Sequence, residues 1–136
     1  MSSEGINELK LRLRDFAEAR DWDQLTCMDA LMPRVHGCTG AAHSPKNLSM
    51  ALSAEVAEIV EHFQWLTEEQ SKTLPKVKLK EVETELADTF IYLVRLADKL
   101  DIDLLKAAED KITGNEQRYP VDKAKGNAKK YTELDG

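Results

Sequence analysis

Apolar residues recur every three to four positions along most of this chain. Ile6, Leu9, Leu13, Phe16 and Ala17 fall on one stripe and predict a helix over residues 6–21. Leu48, Leu52, Val56, Ile59, Phe63 and Leu66 predict a second, starting at Ser44 or Pro45 and running to about Leu66. Thr67 then reads as the cap of a short helical turn, with Glu68 and Glu69 behind it. Leu79, Val82, Leu86, Phe90, Leu93, Ala97 and Leu100 form the stripe of a third long helix, opened by Pro75. Asp101 or Asp103 caps a fourth, over residues 103–118, which Pro120 stops. No stretch alternates with the period of a strand. The expected class is all-α, with four main helices packed as a bundle.

Two segments break the pattern. Residues 26–42, "TCMDALMPRVHGCTGAA", read as an irregular excursion with one helical turn at Met28–Met32. Helix connections usually take a handful of residues, so this one is expected to be a lid or an insertion. Residues 121–136 are basic and contain glycine, and are expected to form a tail beyond one domain spanning residues 1–120.

Composition narrows the function. The chain has 136 residues, enough for one domain with a real core. Its net charge is −6, the wrong sign for a general binder of nucleic-acid polymers. An acidic protein that handles an anionic ligand must cancel the repulsion locally, with a metal ion or a few placed cations. No apolar run reaches the roughly 20 residues that span a bilayer, and the first residues lack a signal-peptide core, so a cytoplasmic protein with no membrane partner is expected. Cys27 and Cys38 then read as free thiols.

The charge pattern holds the chemistry. Glu55 and Glu58 lie three apart inside an apolar run, and Glu85 and Asp88 repeat that spacing on the third helix. At 100° per residue, Glu55 sits roughly 60° and Glu58 roughly 120° from the centre of the apolar stripe, and Glu85 and Asp88 are offset to the same side. One Glu-x-x-Glu pair is usually solvated surface. Two pairs in matched phase on antiparallel helices can meet at one spot, where four carboxylates would repel unless neutralised. Oxygen-rich clusters suit hard cations, Mg²⁺ first and Mn²⁺ as a substitute. Glu61, Glu68, Glu69, Glu81 and Glu83 do not share the phase and are assigned to solvent. A di-iron bundle needs Glu-x-x-His motifs, and the residue three before His62 is Ile59.

Such a metal site would be able to position a phosphate chain and a water, with Glu58, or nearly as well Glu55, as general base. Trp65 and Tyr92 lie on the acidic edges of their helices and suit a base-stacking slot, to which His43 and Asn47 would add polar contacts. Lys111, Asn115 and Arg118 share a face of the fourth helix and suit a clamp on phosphate oxygens, supplemented by Lys123, Lys129 and Lys130. The competing reading is a catalytically silent helical scaffold that oligomerises through the same faces.

These residues carry a resemblance. "EVAE" at Glu55–Glu58, 26 intervening residues and "ELAD" at Glu85–Asp88 resemble the signature of the all-α NTP pyrophosphatases, the MazG superfamily. "RDW" at Arg20–Trp22, "HSPKNL" at His43–Leu48, "EHFQW" at Glu61–Trp65, "KITGNEQRYP" at Lys111–Pro120 and "KAKGNAKKYTEL" near the end are similar to its dCTP pyrophosphatase-like branch. The resemblance implies Mg²⁺-dependent hydrolysis of nucleoside triphosphates between the α- and β-phosphates, a house-cleaning role, and a homodimer or homotetramer. It implies Glu55, Glu58, Glu85 and Asp88 as metal ligands, and substrate contacts at Trp22 and at Tyr119 of the Arg-Tyr-Pro element. The chain departs from the family pattern by the 17 residues of 26–42.

Overall fold

The computed structural model describes residues 3–21, 43–121 and 125–126. Five helices follow one another: α1 (Ser3–Glu18), α2 (Pro45–Phe63), α3 (Glu68–Ser71), α4 (Lys76–Lys99) and α5 (Leu104–Arg118). No strand occurs among the described residues. The helices α1 to α4 belong to a compact unit, Met1–Asp101, and α5 to a second, Ile102–Gly136. The expected helical turn at Met28–Met32 and nearly all of the basic tail lie outside the described residues.

Local chemistry sets the ends. Ser44 is extended and its hydroxyl accepts the Asn47 backbone N–H at 3.2 Å, with Pro45 beginning α2 behind it. The helix stops at Phe63, short of the expected Leu66, which leaves Trp65 and Leu66 in the turn that follows. Around α3, Thr67 and Gln70 form a reciprocal capping box. Pro75 is the cap of α4 and not its first residue. Between α4 and α5, Asp101 adopts a left-handed φ of 54°, which a short polar side chain tolerates, and Asp103 is the cap of α5.

The long pair α2 and α4 builds the centre of the first unit. His62 faces Glu81, Glu58 touches Glu85, and Glu55 lies close enough to Tyr92 to act on its phenol. Partners that descend along α4 as they ascend along α2 define an antiparallel seam. Leu48 and Ala51 of α2 are buried, as are Val82, Val94 and Ala97 of α4 and Ile6 and Ala17 of α1.

The expected stripes are covered for most of their length: Leu48, Val82 and Ala97 are buried, and Leu52, Ile59, Phe63, Phe90 and Leu93 are half-buried. Val56 and Val60 on α2 are nevertheless 44% and 52% exposed, and Leu79 and Leu86 on α4 are 56% and 53% exposed. Ala51, Glu55, Glu58 and His62 of α2 and Glu85, Thr89 and Tyr92 of α4 are covered as well. The acidic residues therefore lie within the seam, beside the aliphatic stripes.

Against this pair, α1 is held by charge as well as by packing. Arg14 donates to Asp98 in two hydrogen bonds, of 2.6 and 2.9 Å, and Arg95 donates a third at 3.1 Å. The Asp98 side chain is 4% exposed. The hydrogen bonds from Arg14 hold its carboxyl below the ordinary value of 3.8, with the Arg14 and Arg95 charges adding to the effect. An acid whose folded-state pKa is depressed stabilises the fold above its ordinary value, and that contribution is lost as pH falls through the depressed one. We predict that Asp98→Asn costs about 2 kcal/mol at pH 7. In urea unfolding, the gap between variant and wild type should shrink as the pH is lowered through 4 and below.

Candidate metal and nucleotide site

Two helices bring three carboxylates together. One oxygen each from Glu55, Glu58 and Glu85 lies within 4.8 Å of the other two, and all three side chains are half-buried. The i, i+3 spacing puts Glu55 and Glu58 on adjacent turns of one face, and the antiparallel seam delivers Glu85 from across it. Burial pushes the Glu85 carboxyl above its ordinary value of 4.5, and the Glu58 charge, a hydrogen bond that the protonated Glu85 carboxyl donates to Glu58 and the Asp88 charge push it the same way. His62 opposes them weakly. Among the described groups that act on Glu85, negative charges outweigh the positive one.

Asp88 is near but not in the group of three. Its charge acts on Glu85 from one turn away and on Tyr92 from the other side, and it opens onto a cavity of about 420 Å³. Leu9, Leu13 and Phe16 of α1 and Ile91 of α4 give this cavity an apolar wall. Arg12, His43, Tyr92 and Arg95 supply its polar groups. Burial raises the Tyr92 phenol above its ordinary value of 10.0, helped by the negative charges of Glu55 and Asp88. Tyr92 thus links the acid cluster to the cavity. Phe16, 45% exposed, has the Arg20 guanidinium stacked 3.6 Å from its ring centre.

The remaining sequence-derived candidates are placed as follows. His43 and Asn47 are buried at the start of α2, and His43 reaches the cavity. Trp65 is 86% exposed beyond the end of α2 and is not part of the cavity wall, because the helix stops two residues before it. Lys111, Asn115 and Arg118 are exposed on α5, with Arg118 Nε donating to the Gly114 carbonyl at 3.0 Å. The Tyr119 N–H closes α5 on the Asn115 carbonyl. Trp22, Lys123, Lys129 and Lys130 lie outside the described residues. Glu61, Glu68, Glu69, Glu81 and Glu83 are all exposed, as expected. Sequence reasoning gave no role to Arg12 or Arg95. For Arg95 the available signal was its position seven residues after Asp88, on the same edge of α4.

Residues 50–134 match the model of the MazG-like family. The chain is 38% identical over 131 residues to dCTP pyrophosphatase 1 of Mus musculus, covering 95% of this chain and 67% of that one. It is 36% identical over 132 residues to dCTP pyrophosphatase 1 of Homo sapiens, covering 95% of this chain and 67% of the relative. The crystal structure of a pyrophosphatase from Archaeoglobus fulgidus superposes with a TM-score of 0.67 at 33% identity, covering 85% of this chain and 93% of that one. The chain belongs to the MazG-like family, in the branch that holds the dCTP pyrophosphatases. By class it is a nucleotide pyrophosphatase.

Like charges held together without a counter-ion oppose folding. Glu58→Gln removes one of them and keeps the shape. In EDTA at pH 7 its thermal midpoint should equal or exceed that of the wild type, by differential scanning calorimetry, whereas an ordinary half-buried Glu in a stabilising contact would give a fall.

Proposed function

We propose that this chain is a divalent-cation-dependent nucleoside triphosphate pyrophosphohydrolase of the cytoplasm that clears surplus or modified deoxynucleotides. The preferred substrate is dCTP or a modified dCTP, cleaved between the α- and β-phosphates to a monophosphate and pyrophosphate. The supporting observation is one juxtaposition: three converging carboxylates that continue, through Asp88 and Tyr92, into a largely apolar cavity. The curated relatives named dCTP pyrophosphatase 1 supply the choice of base.

The donor set fits a hard cation. It is all carboxylate and spaced for a shared ion. Glu55, Glu58 and Glu85 would hold Mg²⁺, or Mn²⁺ in its place, with Asp88 completing the set. When bound, the ion supplies neutralisation of the triphosphate oxygens. The residues themselves do the rest. Glu58 accepts the proton of the attacking water, whose oxygen forms the new bond to phosphorus as the bridging P–O bond of the α–β anhydride breaks. Pyrophosphate leaves with the electron pair of that bond. Tyr92 and His43 contact the nucleoside in the cavity, whose apolar wall excludes water from it. Lys111, Asn115 and Arg118 share an exposed face of α5 whose side chains suit phosphate oxygens, Arg118 through its guanidinium fork.

Incubation with dCTP and Mg²⁺ should release dCMP and pyrophosphate in equal amounts. Glu58→Gln and Asp88→Ala should each lower kcat by about a hundredfold or more. Release of orthophosphate, or full activity in both variants, would contradict the assignment.

The chain also self-associates, as a homodimer or a tetramer of paired dimers. This reading is supported by Val56, Val60, Leu79 and Leu86, four aliphatic residues about half exposed on the helices that carry the carboxylates. Val56→Glu together with Leu86→Glu should lower the mass measured by light scattering to that of a smaller assembly, while the helical content by circular dichroism stays near that of the wild type.

A further inference from the structure

One side of the cavity is a helix that stands over it. Leu9, Leu13 and Phe16 recur at i, i+4 and i+7 on one face of α1, and all three line the cavity. The ends of that face, Ile6 and Ala17, are buried, whereas Leu9 and Leu13 between them are only half-buried. Apolar groups that face a void of about 420 Å³ gain by closing it. The separation of α1 from α4 therefore needs a determinant besides apolar contact.

Arg14 supplies one. It follows Leu13 directly, so its side chain leaves α1 about 100° round from the cavity face. Its Nε and Nη2 donate to the two oxygens of Asp98 at 2.9 and 2.6 Å. A forked pair of this kind fixes orientation as well as distance. Asp101 and Glu18 also act on the Arg14 charge, but more weakly. The Asp98 side chain is 4% exposed and accepts as well from Arg95, which lies in the cavity wall. One carboxylate thus joins the α1 wall to the α4 wall. Arg14 is half exposed, and Asp98 keeps Arg95 when Arg14 is replaced, so removal of the fork leaves no buried charge stranded.

We propose that Arg14 is a positioning residue for the nucleoside: through its fork to Asp98 it holds α1 at the distance from α4 that keeps the cavity open to the sugar and base of the substrate. The inference rests on the nucleotide pyrophosphohydrolase reading for its ligand. Arg14 is not in the cavity wall and acts only through the placing of Leu9, Leu13 and Phe16. The three clustered carboxylates belong to α2 and α4, so the stance of α1 bears on nucleoside binding and not on the hydrolytic step.

The test separates binding from turnover on the full chain. The first readout is kcat and KM for dCTP with Mg²⁺ in the wild type, Arg14→Gln and Arg14→Lys. The second is calorimetric binding of dCMP without divalent cation, which does not depend on turnover. In Arg14→Gln, KM for dCTP and Kd for dCMP should each rise about fivefold or more, with kcat within about twofold of the wild type. Arg14→Lys keeps the charge without the fork and should fall between the two, which preserves the test if the glutamine variant melts. Asp98→Asn should raise KM in the same way. Adding Arg14→Gln to it should change KM by less than about twofold more, because both act through one contact. An Arg14 that only stabilised the fold would instead lower the thermal midpoint and the apparent kcat, through a smaller folded fraction, and leave KM and Kd unchanged. That pattern, or full additivity of the two substitutions, overturns the role of Arg14, and so does a wild type that binds no dCMP. Absence of pyrophosphate release from every nucleotide by the wild type would defeat the hydrolase reading, and the dCMP affinities would still judge Arg14.

Discussion

The constraint on which this molecule turns is the antiparallel seam between α2 and α4, and the carboxylates set in it. Glu55, Glu58 and Glu85 stand where a purely structural sequence would place leucine or valine, with oxygens within 4.8 Å of one another. Their repulsion must be offset by the packing around them. That packing comes from Leu48 and Ala51 at one end of α2 and from Val82, Val94 and Ala97 distributed along α4. The acids are flanked by apolar contacts, which hold the helices at a fixed separation while the charges push against it. The fold thus stores an unfavourable contact of the kind expected where a cation and a polyphosphate are to be captured.

Charge also organises the other side of α4. Arg14 and Arg95 converge on Asp98 and fix α1 against the helix that carries Asp88 and Tyr92. Because Leu9, Leu13 and Phe16 of α1 form one wall of the cavity, the ion-pair trio and the cavity are parts of one arrangement. Acidic groups occupy one stretch of α4 and a buried cation the next, with a tyrosine between them.

Much of this was legible in the sequence. The helices follow from 3.6-residue periodicity and from caps at Ser44, Thr67 and Asp103, all local chemistry. The acidic pairs stood out because like charges three apart inside an apolar run ask for an explanation. The aliphatic stripes were right in part: Leu48, Val82 and Ala97 are buried, while Val56, Leu79 and Leu86 are about half exposed and the acids share the covered side, because 3.6-residue periodicity does not say how far a covered face extends around a helix. Trp65, read as part of α2, lies two residues beyond the end of that helix. Arg95 was passed over because an arginine in a helix usually reads as surface, and only its register with Asp88 and Tyr92 distinguishes it. The cavity itself could not be foreseen, since it depends on where α1 lies against α4.

The short connection between the two long helices has a consequence of its own. From Gln64 to Pro75 the chain turns back through α3, whose capping box locks Thr67 and Gln70 to each other. A segment stiffened in this way works as a spacer of set length. Sliding α4 along α2 by one turn, about 5.4 Å, would bring Glu58 opposite Glu81 or Thr89 and disperse the three acids. Such a shift would have to be taken up between Gln64 and Pro75, where Thr67 and Gln70 are tied to each other. The alignment of groups contributed by two helices is therefore guarded by a four-residue helix that touches none of them.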